Sequence, residues 1–445
     1  MISLENKECA GGRHILEELE IVYGSEKPAG YLPRVVDARI QRMLGLFGAV
    51  EVRGPRWCGK SWSALAFGES VVHLDDESVH DLVSADLSLA LGGARPHVID
   101  EWQDIPRIWD AARRAVDDAG GEHGLYILTG SSTPEKDKVS HSGAGRIASV
   151  DMSTMTLWES GRSTGEVSLA GLFRGEFPAG ASGMQQLASV ADVLCGGGWP
   201  ALVGSPAEDA ADTVGEYLEA LFEVSVPKKG GVSSTARHVA ASLARNVATA
   251  ATLETIAADA GVSPSTVSSY LEMLKSFYVI DELHGWDAPV RAKSRLRTKP
   301  KRYFADPSLP AILLGASPGR LLQDGQTFGL LFESLCIHDL AVYAAALPAA
   351  GRRPLRYYSD ADGLEVDAVI ELRDGRWAAI EVKLGEAKVP AAIASLQRLR
   401  RKVAGNSAAR NPQPEFMAVL TATAPFCRQD PESGVYVFPL GALRP

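Results

Sequence analysis

The chain has 445 residues, a mass of 47.4 kDa and a formal net charge of −10. This length predicts two to four domains, and a content of 46% hydrophobic and 22% charged residues excludes a largely disordered chain. The acidic balance excludes a generally basic nucleic-acid coat protein but leaves room for a local basic strip. Five widely spaced cysteines without a C-x-x-C pair predict neither a disulfide framework nor a zinc site. With no apolar signal core in residues 1–12 and no run of membrane length, we expect a cytoplasmic protein with no membrane partner.

The predicted elements begin with a polar lead-in and a helix from residue 35 to residue 46. Four short apolar runs then alternate with helical stretches, which is typical of a parallel sheet with helices on both faces. These runs are residues 49–52, 71–74, 98–99 and 125–128. A glycine-rich turn at 196–200 marks a break, and residues 207–285 have helical periodicity. Five strands are predicted after a helical stretch, near residues 355–359, 365–371, 377–383, 415–421 and 435–438.

A phosphate-binding loop is predicted where the first strand meets the next helix. Residues 54–61 read Gly-Pro-Arg-Trp-Cys-Gly-Lys-Ser and fit the pattern G-x-x-x-x-G-K-[ST] in full. In such a loop the backbone N–H groups and the helix N-terminus attract phosphate. Lys60 would reach the β- and γ-phosphates of ATP, and Ser61 would ligate Mg²⁺. The predicted nucleotide-contacting residues are Gly54, Pro55, Arg56, Trp57, Cys58, Gly59, Lys60, Ser61 and Trp62.

Acidic and polar residues after later strands complete the predicted ATP site. Asp100 follows the short run 98–99 and is predicted to hold Mg²⁺, and Glu101 is predicted to polarise the attacking water. Ser131 is predicted to sense the γ-phosphate or orient water, with a turn-forming serine as the alternative. Arg146 is predicted to reach a phosphate of its own or a neighbouring subunit, although an arginine at a helix start is usually only solvated.

Several segments resemble one family of ATPases. They are the phosphate loop, Ile-Asp-Glu-Trp-Gln at 99–103 with Pro106, Ile-Leu-Thr-Gly-Ser at 127–131 and Ala-Gly-Arg at 144–146. Over nearly the whole chain after about residue 30, the sequence resembles the AAA-type ATPases that carry a C-terminal DUF4143 region. Two further signatures of that region are similar to Gly-Gly-Trp-Pro at 197–200 and to Lys-Arg-Tyr-Phe-Ala-Asp at 301–306. The chain departs from the family at Ser61-Trp62, where Thr-Thr is common, and in the short strand before Asp100.

The helical middle of the chain predicts a helix–turn–helix at residues 253–271. Gly261 allows the turn, and Ser263 caps the second helix. A strand predicted at 277–280 makes this a winged-helix pattern, whose second helix would enter the major groove of DNA. That helix carries only Lys275 as a basic residue, so a module that serves packing alone is the alternative.

A basic strip follows between residues 291 and 302. Its members are Arg291, Lys293, Arg295, Arg297, Lys299, Lys301 and Arg302. Runs of charge are usually solvated faces, but this strip lies where a wing would meet a nucleic-acid backbone. We therefore expect DNA or RNA as a partner through this strip and the C-terminal domain, with a solvated face as the alternative.

The C-terminal third combines carboxylates and a lysine on a predicted hairpin. Asp367 lies on its first strand, Glu381 and Lys383 share one face of its second strand, and Glu333 lies on a preceding helix. This set resembles the PD-(D/E)XK nuclease superfamily. The resemblance implies that Asp367 and Glu381 bind Mg²⁺ and that Lys383 positions water and stabilises developing charge. A binding-only member of the superfamily and an exposed sheet edge with paired charges are the alternatives.

These patterns predict an α/β protein with four segments. They are a lead-in (1–30), an AAA-type P-loop ATPase domain with a parallel sheet (31–190), a helical winged-helix segment (191–300) and a restriction-endonuclease-like α/β domain (301–445). The first predicted function is an ATPase, with ATP and Mg²⁺ as cofactors, that binds or cuts nucleic acid. The alternative is a nucleotide-gated regulatory switch whose C-terminal domain does not cleave. The sequence leaves open whether the chain forms a homo-oligomer and to what ATP hydrolysis is coupled.

Overall fold

The computed structural model describes residues 27–133, 141–182, 186–289 and 291–445. The first 26 residues of the predicted lead-in lie outside these ranges. The chain divides into two compact units, residues 1–153 and 154–445. The predicted boundaries after residues 190 and 300 stay predictions.

The first unit is built on a five-stranded parallel sheet with the order β2-β3-β4-β1-β5. Its strands are β1 (Ala49–Arg53), β2 (Ser70–His73), β3 (His97–Asp100), β4 (Tyr126–Gly130) and β5 (Ile147–Asp151). Its helices are α1 (Asp37–Leu44), α2 (Lys60–Phe67), α3 (Glu77–Ala85) and α4 (Arg107–Asp118). Four of these strands were predicted. Strand β5 was not predicted, because this segment has only two large aliphatic residues and follows a glycine-rich stretch.

Alternating side chains of the buried strand β1 serve two cores, one on each face of the sheet. Val50 and Val52 pack with Ile40 of α1 and with residues of α2. Ala49 packs on the opposite face, in the core to which Trp109 and other residues of α4 belong. Because the strand period is two, each face of β1 requires its own cover of helices. The predicted parallel sheet with helices on both faces is confirmed.

The second unit begins with short helices and three short strands. The helices are α5 (Leu169–Leu172), α6 (Leu187–Gly196), α7 (Ala207–Ala220), α8 (Val226–Lys228), α9 (Ser233–Arg245), α10 (Leu253–Ala260), α11 (Pro264–Ser276), α12 (Ser294–Arg297), α13 (Ser308–Leu313) and α14 (Pro318–Leu321). The strands are β6 (Val167–Ser168), β7 (Ile280–Leu283) and β8 (Lys301–Phe304). The predicted helical character of residues 207–285 is confirmed in α7 to α11.

The predicted helix–turn–helix forms from α10 and α11. Helix α10 ends at Ala260 and is followed by Gly261, which has a left-handed φ of 69°. Ser263 Oγ accepts a hydrogen bond from the N–H of Thr266 at the start of α11. The strand predicted at 277–280 is wrong in position. Tyr278 instead completes the turn after α11, and β7 begins at Ile280 and pairs antiparallel with β8. A winged helix stays a prediction.

A six-stranded mixed sheet forms the C-terminal part of the second unit, in the order β13-β14-β12-β11-β10-β9. Its strands are β9 (Ala350–Ser359), β10 (Glu365–Leu372), β11 (Trp377–Lys383), β12 (Phe416–Thr421), β13 (Arg428–Gln429) and β14 (Tyr436–Pro439), and a last strand, β15 (Leu443–Arg444), pairs with β6. Its helices are α15 (Gly325–Ala346) and α16 (Val389–Ala404). The five predicted strands and the overall α/β class are confirmed.

Helix α15 is the one helix of the described residues that is long and apolar enough to cross a membrane. Of its most apolar stretch, 67% is buried inside the protein, where the helix packs against β9, β10 and β11. Its apolar composition therefore serves the core of the second unit. The predicted cytoplasmic location stays a prediction.

Candidate functional site

The predicted phosphate loop lies at the carboxyl end of β1 and leads into α2. Two residues in the loop, Trp57 and Gly59, have left-handed φ angles of 66° and 98°. The side chain of Lys60 follows this turn back along the loop, so that Nζ donates a hydrogen bond of 2.8 Å to the carbonyl of Pro55. Lys60 is only 4% exposed. The loop therefore encloses one ammonium group at the N-terminus of a helix, which is an arrangement that attracts phosphate.

Asp100 lies beside Ser61 at the end of the buried strand β3, which β4 separates from β1 in the sheet. Ser61 Oγ donates a hydrogen bond of 2.8 Å to Asp100 Oδ1, which also accepts a hydrogen bond from Thr129. The other carboxylate oxygen lies 3.1 Å from His73 Nδ1. Burial opposes ionisation, but these hydrogen bonds outweigh it, so the pKa of Asp100 is below its ordinary value. An ionised carboxylate next to a hydroxyl offers the oxygen ligands that Mg²⁺ takes, so these residues fit the ion.

Glu101 is held by residues of its own turn and of the end of β4. Its backbone has a left-handed φ of 53°, and its N–H donates to Thr129 Oγ1 at 3.0 Å. Ser131 Oγ donates to Glu101 Oε2 at 2.7 Å, and Gln103 Nε2 donates to the same oxygen. The structure thus brings together Lys60, Ser61, Asp100, Glu101 and Ser131. Thr129 and Gln103 were not predicted to belong to the site, although both lie in the segments that carry the family resemblance.

The outer residues of the predicted nucleotide set are exposed. Trp57 is 41% and Trp62 is 50% exposed, and Arg56 is exposed as well. Their contact with a nucleotide stays a prediction.

Residues of a segment before β1 hydrogen-bond to the phosphate loop and to α2, and the sequence did not predict these contacts. The buried guanidinium of Arg34 donates hydrogen bonds of 2.9 Å to the carbonyl of Cys58 and 2.8 Å to that of Ser153. The hydroxyl of Tyr31 lies 2.8 Å from Ser63 Oγ on α2. No sequence motif indicates these hydrogen bonds, because the partners are distant in sequence.

Arg146 is not at the phosphate loop of its own chain. It directly precedes β5, not a helix, and Ile147 is in register with Ala49 at the amino end of β1, whereas the loop follows the carboxyl end of that strand. Its Nε donates to Asp117 at 2.7 Å on the exposed surface. The structure therefore contradicts a phosphate contact within one chain, and a role in a neighbouring subunit stays a prediction.

The predicted carboxylate–lysine set of the C-terminal sheet comes together on β10 and β11. Lys383 Nζ lies 3.2 Å from Asp367 Oδ2 and 2.6 Å from Glu381 Oε2. Asp367 Oδ2 also accepts a hydrogen bond of 2.8 Å from the N–H of Val382. Asp367 and Glu381 are buried, and Lys383 is half-buried. The alternative of an exposed sheet edge is therefore wrong.

Glu333 of α15 is linked to the same cluster through Lys301, which was predicted to belong to the nucleic-acid-binding basic strip. Lys301 Nζ lies 3.0 Å from Glu333 Oε1, 2.7 Å from Glu365 Oε1 and 3.9 Å from Asp367 Oδ1. The hydroxyl of Tyr303 donates to Glu333 Oε1 at 3.0 Å. Lys301 and Tyr303 belong to the 301–306 signature, and their spacing of two residues places them on one face of β8.

Only some side chains of the basic strip are therefore exposed. Lys301 is 1% exposed and Arg302 is 9% exposed, and Arg302 pairs with Glu282. Arg295 makes two hydrogen bonds with Glu371. A role for these three side chains in contacting nucleic acid is contradicted, because they are paired inside the fold. The exposed members are Arg291, Lys293, Arg297 and Lys299.

The electrostatics of the carboxylate cluster reflect burial and mutual repulsion. Burial raises the pKa of Glu333 and of Glu381, and the Asp367 charge adds to both shifts. Burial would lower the pKa of Lys301 and of Lys383, but the surrounding carboxylates outweigh it and raise both. Both lysines are therefore cationic, and the carboxylates around them outnumber these two positive charges.

Two signatures of the C-terminal region meet in space. The N–H of Gly198 donates a hydrogen bond of 2.9 Å to Asp306 Oδ2, and Trp199 Nε1 donates one of 3.1 Å to Ser308 Oγ. Asp306 Oδ1 accepts from the N–H of Ser308 at 2.8 Å. The end of the 301–306 signature therefore fixes the glycine turn at 197–200, while its beginning reaches the carboxylates.

Three family models match consecutive parts of the chain. They are an AAA domain over residues 47–160, a domain of unknown function (DUF8612) over 187–320 and a domain of unknown function (DUF4143) over 328–442. Two uncharacterized proteins, Mb2031c of Mycobacterium bovis and Rv2008c of Mycobacterium tuberculosis, are each 27% identical over 353 residues. These alignments cover 78% of this chain and 72% of each relative.

Among solved structures, the chain is similar to the Walker-type ATPase PABY2304 of Pyrococcus abyssi, with 13% identity and a TM-score of 0.41. That match covers 64% of this chain and 96% of the other. A replication initiator, DnaA bound to AMPPCP and single-stranded DNA, matches with 14% identity and a TM-score of 0.25, over 54% of this chain and 86% of the other.

Proposed function

We propose that this chain, which carries an AAA domain followed by a DUF4143 domain, binds ATP with Mg²⁺ and hydrolyses it. The observation that carries the proposal is the hydrogen bond of 2.8 Å between Ser61 Oγ and Asp100 Oδ1, next to the buried ammonium of Lys60. A hydroxyl, an ionised carboxylate and a lysine at the N-terminus of a helix are the groups that phosphoryl transfer requires.

Each residue of this site has a distinct task in the proposed reaction. Lys60 binds the terminal phosphates, and Ser61 and Asp100 hold Mg²⁺, which neutralises phosphate charge when it is bound. Glu101 accepts a hydrogen bond from the attacking water and orients it. Ser131 and Gln103 fix the carboxylate of Glu101, because both donate to its Oε2.

A Lys60→Ala variant tests the ATPase. We expect about 10- to 100-fold weaker ATP binding, because the variant loses the charged hydrogen bonds of one ammonium group to the phosphates. Equilibrium titration with ATP and a phosphate-release assay measure binding and hydrolysis. Lys388→Ala, which removes an exposed lysine of the second unit, is the matched control and should behave as the unchanged chain does. Unaltered hydrolysis in Lys60→Ala would refute the proposal.

For the C-terminal domain we infer the second predicted function, a nuclease-like domain that binds a partner without cutting. The observation that favours it is that Asp367 and Glu381 are both paired with Lys383, at 3.2 and 2.6 Å. Nucleic acid remains the partner that we propose, through the exposed members of the basic strip. ATP binding would then gate this docking.

The distinction from a metal-dependent nuclease is directly measurable. The full chain, incubated with Mg²⁺ or Mn²⁺ and single-stranded, double-stranded or branched DNA, is expected to leave all three substrates intact. The reason is that the carboxylates needed for metal binding are held by lysines. Cuts that appear with the unchanged chain and vanish in Lys383→Ala would instead establish the nuclease function.

A further inference from the structure

Lys301 occupies the space between three carboxylates that lie on two other elements. It lies on β8 and approaches Glu333 of α15, together with Glu365 and Asp367 of β10, at 3.0, 2.7 and 3.9 Å. With 1% exposure, it is among the most deeply buried large side chains of the described residues. An ammonium group is buried only where partners replace its water, and here carboxylates do so. The carboxylates therefore stabilise the buried charge of Lys301, and Lys301 in turn compensates their negative charge.

Each of the two lysines pairs mainly with a different set of carboxylates. Lys301 lies close to Glu333 and Glu365, and Lys383 is bonded to Asp367 and Glu381. Asp367 is also within 3.9 Å of Lys301, so it links both halves. Each of the three predicted nuclease acids, Glu333, Asp367 and Glu381, thus faces at least one ammonium group.

A divalent ion does not fit this arrangement. An ion shared by Asp367 and Glu381 would compete with Lys383 Nζ, which lies 3.2 and 2.6 Å from their oxygens. An ion shared by Asp367 and Glu333 would meet Lys301 Nζ in the same way. Mg²⁺ binds oxygen at about 2.0–2.1 Å and repels a neighbouring ammonium group. Within the described ranges, no group of three or more His, Cys, Asp or Glu side chains is arranged to hold a metal ion.

We propose that Lys301 and Lys383 are the resident counter-ions of the C-terminal carboxylates and exclude a divalent metal from them. Lys301 of the 301–306 signature then stabilises the structure as a bound metal ion would, because its positive charge links β8 to carboxylates of α15 and β10. This inference rests on the proposed non-cleaving function of the domain and supplies its physical basis. It also explains why a lysine of a basic strip is buried.

Counting bound Mn²⁺ tests this inference. Mn²⁺ is titrated into the nucleotide-free full chain and its variants, and bound ions are counted by electron paramagnetic resonance. Relative to the unchanged chain, Lys301→Met is expected to gain one bound Mn²⁺, and adding Asp367→Asn should remove that gain. A merely structural role of Lys301 would destabilise the variant without creating an ion site. The absence of any gain in folded Lys301→Met would overturn the proposal.

Asp367→Asn alone keeps the test decisive if Lys301→Met does not fold. The proposal requires that this single variant bind as much Mn²⁺ as the unchanged chain does. Loss of a bound ion would overturn it, because that ion would have been on Asp367. An unchanged chain that binds Mn²⁺ through Asp367 yet leaves DNA intact would overturn this inference and leave the non-cleaving function standing. Neither variant touches Lys60 or Asp100, so the ATPase proposal is tested separately.

Discussion

A Glu101→Gln variant is expected to hydrolyse ATP about 10²- to 10⁴-fold more slowly than the unchanged chain while binding ATP with similar affinity. The carboxylate of Glu101 lies at the end of β3, and its Oε2 already accepts hydrogen bonds from Ser131 and Gln103. These donors fix its direction and leave Oε1 to accept a hydrogen bond from water. A glutamine has nearly the same shape but cannot accept a proton, so chemistry is lost and binding is kept.

Single-turnover hydrolysis and equilibrium ATP binding separate these two effects. Gln103→Ala is the matched control, because it removes a residue that positions Glu101 and leaves the carboxylate in place. We expect a smaller loss of rate in this control than in Glu101→Gln. If Glu101→Gln kept the full rate, the water-polarising role would belong to another residue.

The ATP site was largely predictable from sequence because its chemistry is local. Eight consecutive residues specify the phosphate loop, and Asp100 follows the next but one strand, so a parallel sheet brings both to one edge. The position of Arg146, in contrast, was not predictable from the neighbouring sequence. Its position depends on β5, which pairs with β1 across the fold and has a weak apolar signal. Without that strand, the sequence cannot tell at which edge of the sheet the arginine lies.

The C-terminal site shows the same limit at longer range. Asp367, Glu381 and Lys383 were found because a hairpin fixes which side chains share a face. Lys301 was misassigned because even the acidic partner nearest to it in sequence, Glu333, lies 32 residues away on another element. Charge patterning along a sequence describes exposed faces well but does not reveal which charges tertiary packing will bury.

The largest expected effect on stability is at Gly198, where two chain segments touch. The N–H of Gly198 donates to Asp306, and its carbonyl accepts a hydrogen bond of 2.6 Å from the N–H of Met155. A Cβ on Gly198 would lie 2.0 Å from the carbonyl oxygen of Met155, which belongs to the backbone and cannot rotate away. Gly198→Ala must therefore separate the segments and weaken both hydrogen bonds.

We expect Gly198→Ala to destabilise the second unit by about 3 kcal/mol, because overpacking and two strained buried hydrogen bonds add together. Urea unfolding followed by far-UV circular dichroism measures the shift. Gly215→Ala is the matched control, since Gly215 lies within α7 and its added Cβ has no atom within 4 Å other than those of its chain neighbours and of its own helix backbone. Alanine there should raise stability by up to about 1 kcal/mol, because it favours the helix. Equal midpoints for the two variants would mean that the 197–200 turn yields easily and that its docking on Asp306 does not hold the second unit together.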